Sequence, residues 1–260
     1  MHHRPRSAFR TVKRWSWRLL LGSTLGLGGP VRGEVEDLAL SVNGGVVSRH
    51  VYRGIERSGD AWQVAVDGAW NGWRGNVWSS RPFDSTAPGE VRSRLGYVWS
   101  LTPTLSLETE GTHFWYVDSP VPGAAAHSFE ANVRLTWTDQ RQVRWSLESG
   151  YDIRFHSVAV EGTVAYDLPL PRWGTYLQGR AYVGHLEAAD VLPDAAVVGS
   201  ADEYRYWGAD VRLPYRISWH TSLAVSAHYA EAVDADRYWS PRLARPGRRA
   251  WFGVSTSYTY

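Results

Sequence analysis

The sequence ends with Ala250-Trp251-Phe252-Gly253-Val254-Ser255-Thr256-Ser257-Tyr258-Thr259-Tyr260. Every second residue from Ala250 onward is mostly apolar, whereas the positions between them are mainly Gly, Ser and Thr. Successive side chains of a β-strand point to opposite faces, so this alternation predicts a strand with one apolar face and one small, polar face. Trp251 is the exception, because it falls on the polar face.

The same alternation recurs along the chain before this stretch. It is present in residues 38–52, 62–70, 73–83, 91–99, 105–112, 129–137, 143–154, 158–168, 175–186, 207–213 and 223–229. Together with the final stretch, these segments predict twelve strands, and counts of ten or fourteen are also compatible because strand boundaries are uncertain by a few residues. No stretch after residue 33 approaches 18 consecutive apolar residues, which excludes a helical membrane protein.

The connections between the predicted strands alternate in length. Asn71-Gly72 lies between two alternating segments and is a strong hairpin signal. Short connections also follow strands four, six, eight and ten, while those after strands one, three, five, nine and eleven are longer. The connection after strand seven, at residues 155–157, is an exception because it is short as well. An even strand count with short turns at one end is typical of bacterial outer-membrane barrels, which have short periplasmic turns and longer extracellular loops.

A closed barrel also satisfies the physical demands of the bilayer. Each unpaired backbone group in hydrocarbon costs several kcal/mol, and closure of the sheet removes its unpaired edges. The predicted fold is therefore all-β, a closed antiparallel transmembrane β-barrel with its apolar face toward lipid and its charged face toward the lumen. The alternative is a secreted β-sandwich with the apolar face inward.

The amino-terminal residues have the composition of a secretory signal peptide. A basic segment precedes a short apolar run at residues 19–27, and small residues follow at 31–33. The apolar run is too short for a membrane-spanning helix, which needs about 20 residues. We therefore predict a signal peptide at residues 1–33 and a barrel at residues 34–260, located in the outer membrane.

Removal of the predicted signal changes the charge of the chain. Residues 1–33 carry six Arg, one Lys and no acid, so the net charge falls from +2 to −5. Only residues 242–249 remain as a basic cluster, which argues against nucleic-acid binding. The chain has no Cys, so disulfides do not stabilise it. Its 15 Trp fit either the interfacial girdles of a barrel or a sugar-binding surface.

One segment resembles a known family. Residues 46–58 read Val46-Val47-Ser48-Arg49-His50-Val51-Tyr52-Arg53-Gly54-Ile55-Glu56-Arg57-Ser58, and alternating residues 62–68 and Trp78-Ser79-Ser80 follow. This order resembles the opening of the TorF-type porins of bacterial outer membranes, which typically begin with Ser-x-Tyr-x-x-Arg-Gly; here His50 replaces the aromatic residue. The resemblance implies an uncharacterised outer-membrane barrel and supplies neither a substrate nor catalytic residues.

The final strand also resembles the assembly signal of outer-membrane barrels. The residues that carry this resemblance are Phe252, Val254, Tyr258 and Tyr260. It implies the barrel-assembly machinery, periplasmic chaperones, outer-membrane lipids and lipopolysaccharide as partners. The oligomeric state is left open.

The charged face of the strands supplies the candidate functional residues. Acids and arginines occur there in nearly equal number, which predicts either a narrow pore for small polar solutes or cross-strand pairs that fill and close the barrel. The pore-lining candidates are Asp67, Arg74, Arg92, Arg94, Glu108, Glu110, Glu130, Arg134, Arg144, Glu148, Asp152, Arg154, Glu161, Asp167, Arg180, Asp210 and Arg212. At the first long connection, Gly54 is predicted to reverse the chain and Arg53 to pair with Glu56.

The sequence also leaves two alternatives to a channel, which are surface binding through the loops and lipid hydrolysis. Loops at residues 117–127, 187–202 and 231–248 could bind surfaces; the last contains Tyr238, Trp239 and several Arg that suit an anionic glycolipid. An outer-membrane lipid hydrolase would need a serine and a base on the lipid-facing side. His113 is predicted to face outward without such partners, whereas Ser226 and His228 face the lumen. The sequence contains no metal or phosphate motif, and we expect no cofactor.

Overall fold

The computed structural model describes residues 38–84, 88–117, 127–154, 156–188, 202–233 and 247–260. The predicted signal peptide and most of the three long loops lie outside the described residues. None of the helical segments in the described part of the chain has the length and apolar character needed to cross a membrane.

Twelve long strands form one closed barrel, and two short strands form a separate hairpin. The strands are β1 Ala39–Val47, β2 His50–Tyr52, β3 Ile55–Ser58, β4 Ala61–Trp70, β5 Trp73–Pro82, β6 Gly89–Thr102, β7 Leu105–Val117, β8 His127–Thr138, β9 Arg144–Asp152, β10 Ser157–Leu170, β11 Thr175–Ala188, β12 Asp202–Arg216, β13 Thr221–Val233 and β14 Arg248–Thr259. The short strands β2 and β3 are the hairpin.

The barrel closes where its first strand meets its last. β1 pairs antiparallel with β14 and with β4, so that Val42 lies opposite both Tyr258 and Val66. At the end of this seam the backbone N–H of Tyr260 donates to the carbonyl of Leu40 at 3.0 Å. All backbone edges of the twelve strands are thereby paired. The prediction of a closed, twelve-stranded antiparallel barrel is confirmed.

Short connections lie at one end of the barrel, which we call the turn end. They comprise residues 71–72, 103–104, 139–143, 171–174 and 217–220. At the first of these, Asn71 and Gly72 have φ values of 46° and 83°, as the tight hairpin turn predicted there requires. The opposite end, the loop end, carries the longer connections, among them residues 48–60 between β1 and β4.

The outer surface has the layering expected of a membrane barrel. Exposed aliphatic residues such as Val66, Leu135 and Val183 form a central band. Tryptophans near the turn end are exposed around it, and they are Trp70, Trp73, Trp99, Trp137, Trp145, Trp173 and Trp219. Indole rings favour the boundary between headgroups and hydrocarbon, so this distribution accounts for much of the Trp content.

The first connection differs from the prediction. The alternating pattern suggested one strand through Tyr52, but β1 ends at Val47 and residues 50–58 turn into the barrel as the β2–β3 hairpin. We call this segment, His50–Ser58, the inner hairpin. Its apolar residue Ile55 is only 1% exposed. An alternating pattern specifies a strand but not its partner, and this short strand pairs locally instead of extending the wall.

Candidate functional site

The inner hairpin turns at Arg53 and Gly54, which have φ values of 49° and 76°. A Cβ atom at Gly54 would lie 2.9 Å from the Cβ of Tyr206 and 3.1 Å from that of Ala232. Glycine is therefore required here both by the left-handed backbone and by the close approach to the barrel wall. The tip of the hairpin is pressed against β12 and β13.

Arg53 anchors the hairpin to the far side of the lumen. Its Nη1 and Nη2 atoms donate to the two carboxylate oxygens of Glu130 on β8, at 2.8 and 2.9 Å. The two side chains are 12% and 5% exposed. A bidentate pair of this kind is both strong and geometrically specific.

The predicted pair between Arg53 and Glu56 is wrong. Glu56 instead accepts hydrogen bonds from Arg49 at 3.3 Å and from Arg249 on β14 at 2.6 Å. In the hairpin register Glu56 lies opposite Val51, and Arg53 occupies the turn. The two side chains that are close in sequence therefore find partners on opposite walls.

Apolar packing holds the other face of the hairpin. Ile55 belongs to a buried cluster of wall residues near the loop end, formed by Ala159, Leu186, Tyr204, Tyr206 and Ala232. Full burial of an aliphatic side chain stabilises by about 1.5–3 kcal/mol. The hairpin thus has an apolar anchor in addition to its ion pairs.

A buried cation packs against one aromatic ring of the hairpin and one of the wall. The guanidinium of Arg92 on β6 lies 4.1 Å from the ring centre of Tyr52 and 4.6 Å from that of Trp78. It pairs with Glu90 and donates to Nε2 of His50 at 3.4 Å. Burial lowers the pKa of His50 to about 4, and the nearby Arg92 and Arg57 charges add to this effect against the opposing charge of Glu90. His50 is therefore a neutral acceptor at pH 7.

The inner hairpin consequently spans the lumen near the loop end. Its contacts reach β6, β8, β12 and β14, which include opposite sides of the ring. A cavity of about 260 Å³ remains, and both the hairpin and the wall line it. Ten of the predicted pore-lining residues border this cavity: Arg92, Arg94, Glu110, Glu130, Arg134, Glu148, Glu161, Arg180, Asp210 and Arg212.

On one wall of the cavity the charges pair with each other. Arg134 on β8 donates to Glu108 on β7 at 3.0 Å and to Glu148 on β9 at 2.7 Å. Arg94 on β6 lies 3.9 Å from Glu110. Neighbouring strands place these residues directly beside each other, so this wall is close to neutral.

The other candidates lie outside the cavity. Asp67 accepts hydrogen bonds from Asn43 and Asn76, both at 2.7 Å. Arg144 and Asp167 form a 3.2 Å pair. The remaining candidates on the inner face are the half-buried Arg74, the buried Asp152 and the Arg134 partner Glu108.

Arg154 does not occupy the predicted inward position. β9 ends at Asp152, and Arg154 is exposed in the turn that follows. Its backbone N–H donates to Oδ1 of Asp152 at 2.9 Å. The prediction extended the alternating pattern two residues beyond the strand. Side chains alternate between two faces only in extended backbone, so the pattern does not indicate the direction of a side chain beyond the strand end.

On the opposite wall three side chains are hydrogen-bonded in series, and their association was not predicted from the sequence. Nδ1 of His228 lies 2.6 Å from Oδ1 of Asp210, and Nε2 of His228 lies 2.8 Å from Oγ of Ser226. Arg180 approaches Asp210 at 3.1 Å. The i, i+2 spacing of Ser226 and His228 indicated a shared face, but the acid lies on another strand. Only the register of β12 against β13 identifies it.

The lipid-facing candidates lie as the alternation predicts. Phe252, Val254, Tyr258 and Tyr260 are exposed on the outer face of the barrel's last strand and its end. His113 is also exposed, and its Nε2 is 3.1 Å from Nδ1 of His127. Within the described residues, no group of three or more His, Cys, Asp or Glu side chains is arranged to hold a metal ion.

Comparison with solved structures identifies similar barrels. The NanC porin matches with a TM-score of 0.56 and 11% identity over 84% of this chain and 98% of that one. LpxR from Salmonella typhimurium matches with a TM-score of 0.51 and 8% identity over 84% and 99%. No family model matches the sequence, and no curated protein matches it. At these identities the likeness is one of fold alone, that of a closed antiparallel β-barrel.

Proposed function

We propose that this protein is a porin-type channel that lets small polar solutes diffuse passively across the outer membrane. The observation that carries the proposal is the polar cavity inside a barrel whose outer face is apolar. The likeness in fold to the NanC porin supports it. The resemblance of residues 46–80 to the TorF-type porins points in the same direction.

The inner hairpin defines the proposed selectivity of the channel. Solutes would pass through the cavity that the hairpin and the wall border, where Arg94 and Arg134 face the lumen beside their carboxylate partners. Alternating positive and negative groups favour small zwitterionic or polar solutes over ions of one sign, because no net field of either sign fills the passage. The pore-lining roles of the charged residues belong to this proposal.

The proposal includes the cellular route of the protein. Residues 1–33 would direct export and be removed, and the last strand, with Phe252 and Tyr260 facing lipid, would be recognised during barrel assembly. Outer-membrane lipids and lipopolysaccharide would surround the apolar band. N-terminal sequencing of the membrane-extracted protein tests the cleavage; a chain beginning at Met1 would contradict it.

Planar-bilayer conductance tests the channel. The protein is extracted from outer membranes, and a heat-modifiable shift on an electrophoresis gel verifies that each sample is a closed barrel. We expect stepwise conductance of small amplitude. A folded barrel that never produces steps would overturn the channel proposal.

A second candidate function is a closed barrel that binds surfaces through its loops. The buried pair of Arg53 and Glu130 favours it, because such a pair can keep the hairpin in place across the lumen and so block the passage of solutes. In that case removal of residues 234–246 abolishes adhesion to lipopolysaccharide-coated surfaces. For a channel, the same removal leaves or enlarges the flux of small solutes.

A further inference from the structure

We propose that Ser226, His228 and Asp210 form a hydrolytic triad inside the lumen, which cleaves small polar carboxylic esters that enter the cavity. The activity is additional to solute passage and does not depend on it. All three residues border the cavity of about 260 Å³, so a small solute can reach them.

The distances have the order that nucleophilic catalysis requires. Asp210 Oδ1 lies 2.6 Å from Nδ1 of His228, and the ring's other nitrogen lies 2.8 Å from Oγ of Ser226. A carboxylate acceptor holds the proton of neutral imidazole on Nδ1, which leaves Nε2 free to accept the serine proton. The series therefore presents a nucleophile, a base and an orienting acid.

The barrel wall fixes this geometry through its register. Ser226 and His228 are two residues apart on β13 and so share its inner face. His228 lies directly opposite Asp210 on β12 and opposite Trp251 on β14. The Trp251 ring stacks on the imidazole at 5.0 Å with an interplanar angle of 9°. The imidazole is half-buried, and a ring stacked and hydrogen-bonded between two strands has little freedom to rotate away from its partners.

Gly253 on β14 leaves space for the Ser226 hydroxyl. The two residues lie opposite each other, and a Cβ atom at Gly253 would lie 2.8 Å from Ser226 Oγ. Because glycine has no Cβ atom, the Ser226 hydroxyl can lie at the wall of the cavity without a clash with residue 253. The alternative acceptor for the hydroxyl is the Gly253 carbonyl at 3.4 Å, a longer contact than that to His228.

Arg212 supplies positive charge near the nucleophile. It lies opposite Ser226 on β12, and its Nη2 reaches Oγ of Ser255 on β14 at 3.4 Å, so its side chain crosses β13 beside Ser226. Arg212 contacts no carboxylate within the described part of the chain, unlike Arg180, Arg134 and Arg94. An unneutralised guanidinium at this place can stabilise an oxyanion.

The proposed reaction is balanced with water as the second substrate. Ser226 Oγ bonds to the ester carbonyl carbon while its proton moves to Nε2 of His228, and the carbonyl oxygen becomes an oxyanion near Arg212. The carbon–oxygen bond to the alcohol then breaks, and His228 returns the proton to the leaving oxygen. Water attacks the acyl-serine with His228 as the base, which releases the carboxylic acid and restores Ser226.

Serine labelling and ester hydrolysis test the triad. The closed barrel is incubated with a fluorophosphonate probe, which reacts preferentially with activated serines, and the modified residue is located by mass spectrometry. We expect the label on Ser226 and turnover of p-nitrophenyl acetate. Ser226→Ala and His228→Asn should lower turnover at least a hundredfold, and His228→Asn should also abolish the label.

Two further variants separate the triad from a structural network. Ser222→Ala is the matched control, because Ser222 lies on the same inner face of β13 but its hydroxyl is hydrogen-bonded to that of Ser257 at 2.6 Å. Labelling and turnover of this variant should stay within twofold of the parent. Asp210→Asn should lower kcat with KM unchanged, as expected for a positioning residue.

A closed barrel whose Ser226 is not labelled, or is labelled equally after His228→Asn, overturns the triad. Conductance measured on the same samples keeps this result separate from the channel proposal. The Ser226→Ala barrel should conduct like the parent, so a loss of hydrolysis and a loss of channel activity are distinguishable.

Discussion

The loop-end half of the lumen and the level below it are built on the same barrel wall but differ in what fills them. Near the loop end, the inner hairpin crosses the lumen, and Arg53 reaches a partner 77 residues away. Below it, Arg134 pairs only with its two neighbouring strands. The charged residue of the wall pairs with residues on neighbouring strands, whereas the charged residue of the hairpin pairs with a residue on the opposite side of the lumen.

This difference indicates which part of the molecule would limit passage through the proposed channel. A wall of twelve strands sets the width of the barrel and makes its inner face polar. The nine residues of the hairpin, His50–Ser58, then cross the lumen near the loop end. The wall is hard to change without unfolding the barrel, but the hairpin is held by a small number of separable contacts.

Loss of the Arg53 anchor should free the loop-end half of the lumen from the hairpin, so that both halves are lined by the barrel wall alone. Arg53→Ala leaves Glu130 buried without its partner, which costs about 3–5 kcal/mol while the hairpin stays in place. We expect the hairpin to detach and the single-channel conductance to rise several-fold in planar bilayers.

Arg49→Ala is the matched control for this experiment. Arg49 also pairs with a hairpin residue, Glu56, but its side chain is 43% exposed. Exposed pairs contribute about 0–1 kcal/mol, so conductance should barely change. If Arg53→Ala conducts like the parent, the hairpin does not limit passage.

Acidification should weaken the hairpin in the same direction. Because burial lowers the pKa of His50 from 6.5 to about 4, the seated hairpin resists its protonation. The stabilisation is complete above pH 6.5 and is lost as the pH falls toward 4, by about 3 kcal/mol in total.

We therefore expect conductance to increase between pH 6.5 and pH 4. In the upper part of this range few carboxylates titrate, so histidines dominate the response, and a His50 variant isolates the part that belongs to His50. His50→Asn keeps a polar side chain without the titration and should flatten the curve between pH 6.5 and 5. An unchanged curve would exclude His50 as the cause.

A glycine substitution should loosen the tip of the hairpin more gently. Gly54→Ala introduces a side chain at φ 76° and against Tyr206, with a cost of about 1–3 kcal/mol. We expect faster cleavage by an added protease within residues 50–58. Gly59→Ala is the control, since a Cβ atom there meets nothing within 4 Å. Equal cleavage of both variants would contradict the packing of the tip.

A charge reversal below the hairpin should have the smallest effect. Arg94→Glu places a second acid beside Glu110 and should shift ion selectivity toward cations by about fivefold, as expected for about 1 kcal/mol of interaction in a wet pore. Reversal potentials in a salt gradient measure this shift. Arg154→Glu, in an exposed turn, should change them less. Equal shifts would mean that Arg94 does not face the permeating ions.

Much of the wall followed from local patterns. Alternation predicted the number of strands, and Asn71-Gly72 predicted a tight turn that the structure contains. These signals succeed because a strand's two faces and a two-residue turn depend on adjacent residues alone. The Arg154 error came from a strand end, where alternation stops being informative.

The interior could be predicted only as a list of residues. Parity assigned Asp210 and Arg212 to the inner face, but their partners depend on the register between strands. The hairpin was interpreted as part of a strand and a polar connection, because nothing near Arg53 in sequence identifies Glu130 as its partner. Ser226 and His228 were recognised as lumen residues without their acid for the same reason.

The sequence by itself determined that this chain forms a closed, membrane-type barrel with a charged interior, since period-two alternation and connection length are local properties. The tertiary structure alone decided how the interior is used. It brought Arg53 to Glu130 and Asp210 to His228, and it turned residues 50–58 inward. Closure of the ring sets those distances, because it fixes every strand's register relative to strands far away in sequence.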